Sequence, residues 1–348
     1  MGQRSRRIPP GRGLLLAGLM AGLLAACAPV HQPMGPRVVA PALGADGFTT
    51  ADGVVLPLRS WLPAAQPRAV ILGLHGFNDY AHVYRDAGPW WAERGIATYA
   101  YDQRGFGAAP RPGIWPGTKT LQADLIDAAR AVRTRHPGVP LFLMGHSMGG
   151  AVVMTTLADQ GLPDGVAGAV LVAPAVWSRD SMPVYQRAAL AIATWTVPWM
   201  DLSPPRGLRR YASDNIAMLR EMGRDPLVLK ETRVDAVAGL TDLMDAAVGA
   251  VPRVRGPVLV LYGDNEDILP AAPVNRALAA FPTGPDGPRL AVYPQGWHML
   301  LRDLAAETVW ADIAAWITDP AAPLPSAADT RPRRIPVREG RPPLPSPP

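Results

Sequence analysis

The chain has 348 residues, 48% of them hydrophobic, a formal net charge of +5 and one cysteine, Cys27. That length carries one catalytic domain with extensions, and a single cysteine excludes an intramolecular disulfide. Four net positive charges are the arginines among residues 1–26, so the rest of the chain has no basic surplus for a nucleic acid. No group of His, Cys, Asp and Glu shows metal-ligand spacing, and no metal is expected.

Arg4, Arg6, Arg7 and Arg12 precede an apolar run from Leu14 to Ala26. Those thirteen residues are fewer than the ~20 that span a bilayer. A basic start, a short apolar core and small closing residues describe a secretory signal over residues 1–26. Its end, Leu24-Ala25-Ala26-Cys27, matches the bacterial lipoprotein signal, in which the cysteine receives lipid. The mature chain is therefore expected at the cell envelope, held to a membrane through acylated Cys27. More than one acyl chain is needed for a stable anchor. Ala28, rather than Asp, follows the cysteine and points to the outer membrane over the inner. Residues 27–45 are rich in Pro and Gly and predict a tether, with the folded domain over 46–318.

A hairpin is expected from Phe48 to Leu62, turning at Asp52-Gly53. Apolar strand-like runs follow at Val70–Leu74, Ile96–Tyr101, Leu141–Met144, Ala169–Ala173, Val258–Tyr262 and Leu290–Tyr293. Their nearly continuous apolar character suits a parallel sheet buried on both faces. Leu121, Leu125, Ala128 and Val132 mark one face of an intervening helix, so the fold class is α/β. About eighty residues, roughly 176–255, interrupt the alternation and predict an inserted helical cap. Within it, Ala188 to Met200 is apolar nearly all round. That run predicts a helix packed on the core and ending at Pro198, with part of its surface lining an acyl tunnel. Residues 319–348 are rich in Pro and Arg and predict a disordered tail.

The chemistry concentrates at Gly145-His146-Ser147-Met148-Gly149, between an apolar strand and a helix-forming run. Strand, Gly-x-Ser-x-Gly, helix is the nucleophile elbow of α/β-hydrolases, a turn tight enough to strain the serine backbone. Ser147 is the expected nucleophile. The residue after it, Met148, offers its amide to an oxyanion at the start of a helix. In this fold the triad runs Ser, acid, His, and of six histidines only His298 follows Ser147. Gly263-Asp264-Asn265-Glu266-Asp267 follows another strand and supplies the acid. Position alone does not choose between neighbouring carboxylates there. Asp or Glu can hold the imidazole in one tautomer.

Taken with His75-Gly76-Phe77-Asn78, Asp102-Gln103-Arg104-Gly105-Phe106-Gly107 and Trp297-His298, these motifs resemble the monoacylglycerol lipase and lysophospholipase branch of the serine α/β-hydrolases. The resemblance spans roughly residues 50–318. It implies a mostly parallel central sheet flanked by helices, with a helical cap, and hydrolysis of monoacyl lipid esters through an acyl-enzyme without a cofactor. The branch usually reads Gly-x-x-Asp-x-Ile/Val-x-Pro around its acid. Aligned on Gly263, Ile268 and Pro270, that position holds Glu266; a shift of one residue would select Asp267 instead. The resemblance also implies Phe77 as the second oxyanion donor. Here the chain departs from the family's His-Gly-x-Gly-Glu-His, which leaves the shape of the Phe77 loop open. His75, Asp102 and Arg104 are expected to brace turns. A short-chain or xenobiotic carboxylesterase is the first alternative among enzymes and a proline-specific aminopeptidase, because related lids serve peptidases, a more distant one. An inactive hydrolase-like envelope lipoprotein acting in binding is the alternative outside them.

Overall fold

The computed structural model describes residues 28–45, 47–203 and 210–337. The runs of Val, Ile, Leu and Ala form β5 (Ala69–Leu74), β6 (Ile96–Tyr101), β7 (Leu141–His146), β8 (Val166–Val172), β11 (Val258–Gly263) and β12 (Arg289–Tyr293). These six pair in parallel, and β4 (Leu58–Trp61) adds antiparallel to β6, giving the order β12-β11-β8-β7-β5-β6-β4. Every residue of β5, β6, β7 and β11 is buried. Such strands need cover on both faces.

One face is covered by α2 (Thr118–Arg135), α3 (Met148–Gln160), α6 (Val234–Ala250) and α7 (Ala271–Ala280), which share a core with Leu72, Leu143 and Val260. The other is covered by α1 (Ala87–Ala92) and α8 (Ala306–Thr318), packed with Ile71, Met144 and Leu261. The chain leaves β5 for β6 on one side and returns for β7 on the other. That reversal opens a crevice at the carboxyl ends of β5 and β7, where open α/β sheets bind ligands.

The expected hairpin is smaller than its sequence range. β2 (Phe48–Thr49) and β3 (Val55–Leu56) pair across the Asp52-Gly53 turn, and β1 (Ala42–Leu43) pairs with β2. β4 instead joins the main sheet.

Residues 28–45 are not a free tether. The Gln32 amide donates to Trp115 O (2.9 Å), the Met34 amide to Thr120 Oγ1 (3.1 Å), and Arg37 meets both oxygens of Asp127 at 3.0 Å. Pro and Gly lower the number of backbone donors and side chains available, but those that remain find partners on α2 and on the loop before it. The folded unit therefore begins well before residue 46.

The expected disordered tail is likewise ordered through Val337. Leu324, Ala328 and Ile335 are buried, Arg331 reaches Asp264 (2.8 Å), and Asn275 exchanges two hydrogen bonds with the Ile335 backbone. A few well-spaced apolar residues suffice to seat this strap. The signal segment 1–26, Cys27 and residues 338–348 lie outside the described residues.

Between β8 and β11 the insertion contains α4 (Val184–Thr196), β9 (Asp201–Leu202), α5 (Ile216–Arg224) and β10 (Thr232–Arg233), ahead of α6. The expected cap range is too long at its end. Leu243, Met244, Ala247 and Ala250 of α6 belong to the main core, so that helix flanks the sheet. The reading of α4 as a packed helix is corrected as well: none of its residues is buried.

Candidate active site

Ser147 stands between the end of β7 and the start of α3 with φ 51° and ψ −114°, a conformation that L-residues rarely adopt. Two glycines permit it. A Cβ on Gly145 would run into the Gly149 carbonyl, and one on Gly149 would lie 2.5 Å from the Leu74 carbonyl oxygen. The elbow is pinned by the Ser147 amide on Val172 O (2.9 Å) and by the Ala175 amide on Ser147 O (3.0 Å). Strain held in this way is a device for presenting a side chain.

His298 lies on the loop after β12. Its Nδ1–H donates to Glu266 Oε2 at 2.7 Å, inside the protein. The other oxygen of Glu266 accepts the Ile268 and Leu269 amides at 2.8 and 2.9 Å. These bonds fix the carboxylate, and the carboxylate fixes the imidazole tautomer that leaves Nε2 free to accept a proton. Asp267, the neighbouring candidate, turns elsewhere. It accepts from Arg210 Nη1 (3.0 Å) and from the Tyr211 amide (3.0 Å), so it holds the cap. The structure brings Glu266 to the histidine and Asp267 to the cap.

Met148 begins α3 beside Ser147. The Phe77 loop also lies against Ser147, because a Cβ on Gly76 would stand 3.3 Å from Ser147 Cβ. Asn78, where the resembling branch has Gly, takes φ 61° and so adopts the left-handed turn that Gly would favour. The departure in sequence therefore leaves the turn intact. His75 is structural: Nδ1 bonds Gly76 O (2.7 Å) and Nε2 accepts from the Gln103 amide (2.9 Å). Asp102 accepts the Ala81 and Ala108 amides, and Arg104 is buried between Asp52 and Asp124. All three brace loops.

Two contributors carry no role in the sequence analysis. His146 Nε2–H donates to the His298 carbonyl (3.0 Å), tying the histidine loop to the elbow. Burial pushes the His146 imidazole down to about 3, so it stays neutral at ordinary pH. Asp303 is buried between the histidine loop and the cap, accepting the Trp297 amide and the Ser213 hydroxyl, each at 2.7 Å. Its burial raises the carboxyl to about 7 despite those two bonds. An acid five residues beyond His298 on the same loop was the available signal, but nothing in the sequence places Ser213 against it.

Ser147 and His298 open on a cavity of about 520 Å³. Phe77, Trp177, Met182, Leu190, Met222, Leu240, Met244 and Leu269 give it apolar walls, and Asp79 and Gln186 add polar groups. Of the apolar run in α4, only Leu190 reaches this wall; Trp195 and Trp199 point outward. The arrangement can activate a serine, stabilise an oxyanion and seat an apolar group beside both. Among the described residues there is no cluster suited to a metal ion.

The model of the family described as serine aminopeptidase, S33, matches residues 65–305. Monoacylglycerol lipase of Mycolicibacterium smegmatis is 26% identical over 289 residues, covering 78% of this chain and 95% of that protein. Human monoglyceride lipase is 25% identical over 276 residues, covering 78% and 89%. The crystal structure of a soluble variant of monoglyceride lipase from Saccharomyces cerevisiae, in complex with a substrate analog, matches with a TM-score of 0.66. It is 19% identical and covers 82% of this chain and 97% of that one, which shows a shared fold.

Proposed function

The chain belongs to the serine aminopeptidase, S33, family of α/β-hydrolases, and on that premise we propose that Ser147, His298 and Glu266 hydrolyse carboxylic esters of monoacyl lipids. Ser147 Oγ attacks the ester carbonyl while His298 Nε2 takes its proton. The amides of Phe77 and Met148 receive the oxyanion; each such donor is worth about 2.7–4 kcal/mol of transition-state stabilisation. His298 returns the proton to the leaving alcohol, and water then releases the acid by the reverse use of the same groups. Glu266 stabilises the imidazolium without accepting a proton.

The observation that carries the substrate class is the apolar cavity joined to Ser147 and His298. Each buried CH₂ contributes about 0.8 kcal/mol, so these walls favour a fatty acyl chain over an acetyl group. The monoacylglycerol and monoglyceride lipase relatives support the same reading. A series of esters of graded chain length tests it. The account expects kcat/KM to climb steadily from acetyl to decanoyl and longer; preference for acetyl esters would make the enzyme a short-chain carboxylesterase.

Leu24-Ala25-Ala26-Cys27 supports a further part of the reading, that lipid on Cys27 holds the enzyme at the cell envelope, at the outer membrane. Among the described residues no helix is long and apolar enough to cross a membrane. Metabolic labelling with palmitate should tag the wild type and not Cys27→Ala. A labelled variant, or an unlabelled wild type, contradicts the anchor.

A further inference from the structure

The cap turns a large apolar surface away from the cavity. Val184, Ile192 and Trp195 fall on one stripe of α4, and Trp199 and Met200 continue beyond its end. Ile192 is 65% exposed, Trp195 70% and Trp199 48%. Arg187 is the only charged residue of this helix. Gln186 and Leu190, on its other side, line the cavity. The helix thus separates the cavity from an outer face that no described residue covers, and an apolar patch of this kind marks an interaction site.

The N-terminal segment ends at the rim of that patch. The Val30 amide donates to Asp235 Oδ2 at 3.1 Å. The Asp235 amide in turn donates to Pro198 O, and the Val234 amide to Met200 O, both at 3.0 Å. Val30 is therefore tied to the residue whose own amide holds the backbone next to Trp199, and its side chain is exposed as well. Arg233 clamps the Asp235 carboxylate at 2.9 and 2.6 Å, so this attachment point is itself fixed. Farther along, the bonds of Gln32, Met34 and Arg37 bind the segment to the fold. The apolar run Leu14–Ala26 and Cys27 immediately precede this pinned stretch.

We propose that residues 28–37 act as a splint, which brings the membrane-anchored end of the chain and the outer apolar stripe of the cap to one lipid surface. The anchor rests on the lipid-modification reading above; the partner of the cap face is the bilayer itself. A free tether would let the domain tumble on its anchor. A splint fixed at Asp235 instead holds Trp195 and Trp199 against the membrane from which a monoacyl lipid would come.

Because Cys27 is the only native cysteine, a single bimane probe can be placed on Trp195→Cys, or on Glu93→Cys after α1 on the opposite face of the sheet. The mature, anchored protein is bound to phosphatidylcholine vesicles with brominated acyl chains. Quenching is expected at position 195 and not at 93, and Arg37→Glu, which repels Asp127 and loosens the splint, should reduce it. Replacing Ile192, Trp195 and Trp199 together by Ser should slow hydrolysis of vesicle-borne monoacylglycerol about tenfold, with a soluble short ester turned over as before. Vesicle-bound protein without quenching at 195 overturns the docking, even with lipid on Cys27. Equal quenching with and without Arg37→Glu overturns the splint. Should Cys27 carry no lipid, the anchor fails separately, and quenching of the position-195 probe in a Cys27→Ser background still decides whether the cap docks.

Discussion

The floor and the roof of the cavity are built by different physics. On the floor, Ser147, Glu266 and His298 sit at the ends of β7, β11 and β12, buried strands whose packing leaves little room to move. In the roof, α4 has no buried residue and α5 has one, Met218. A row of hydrogen bonds along residues 210–215 helps hold the roof, beside contacts such as the Tyr80 hydroxyl donating to Asp225 and the Leu229 amide donating to Asn78 O. Arg210 and Tyr211 bind Asp267, Met299 donates to Ala212 O, Ser213 donates to Asp303, Leu304 donates to Asp214, and Asn215 donates to Arg302 O. A region with few buried apolar contacts opens at lower cost than the core beneath it. The adjacent carboxylates Glu266 and Asp267 serve the two regions separately, one the histidine and the other the roof.

Substitutions on the two sides should therefore separate cleanly. Ser147→Ala and His298→Ala are expected to lower kcat by about 10⁶ with little change in melting temperature, since each is a truncation on the floor that leaves the packing intact. Glu266→Gln should cost about 10⁴ in kcat, because it removes orientation and charge stabilisation rather than bond making. Asp267→Asn should keep kcat within about tenfold and act on KM and on proteolysis of the cap, as loss of one charge-assisted contact is worth about 1.5–3 kcal/mol. Steady-state kinetics of the pair decides the division. A kcat loss in Asp267→Asn equal to that in Glu266→Gln would erase it.

The smallest expected effect is in the pH dependence of the Asp303 contact between the histidine loop and the cap. The Asp303 carboxyl rises from 3.8 to about 7 on burial. Its folded value exceeds its unfolded one, so its contribution to stability is complete below about 4 and is lost as pH rises through about 7. Melting temperature measured from pH 4 to 8 should fall less steeply in Asp303→Asn than in the wild type. Parallel curves would mean that the carboxyl does not titrate in this window.

Sequence alone reveals the floor better than the roof. An elbow demands Gly at two places, and the order of triad members leaves a single histidine, so Ser147 and His298 stand out in the chain. Glu266 and Asp267 are not separable by pattern, since adjacent side chains diverge only when the strand end and the cap are both in place. Apolar residues in α4 announce that something covers them but not what, and the expectation of core packing fails for that reason. Pro-rich ends look unstructured by composition. Yet Arg37, Leu324, Arg331 and Ile335 each find a partner distant in sequence, which no local pattern encodes.

The central claim is that Ser147 is the nucleophile of an ester hydrolase. Treating the protein with a fluorophosphonate and locating the adduct by peptide mass spectrometry tests it directly. One adduct per chain on Ser147, blocked by a long-chain monoacylglycerol and accompanied by complete loss of ester hydrolysis, is the expected result. Modification at another residue, or wild-type turnover by Ser147→Ala, would contradict the account.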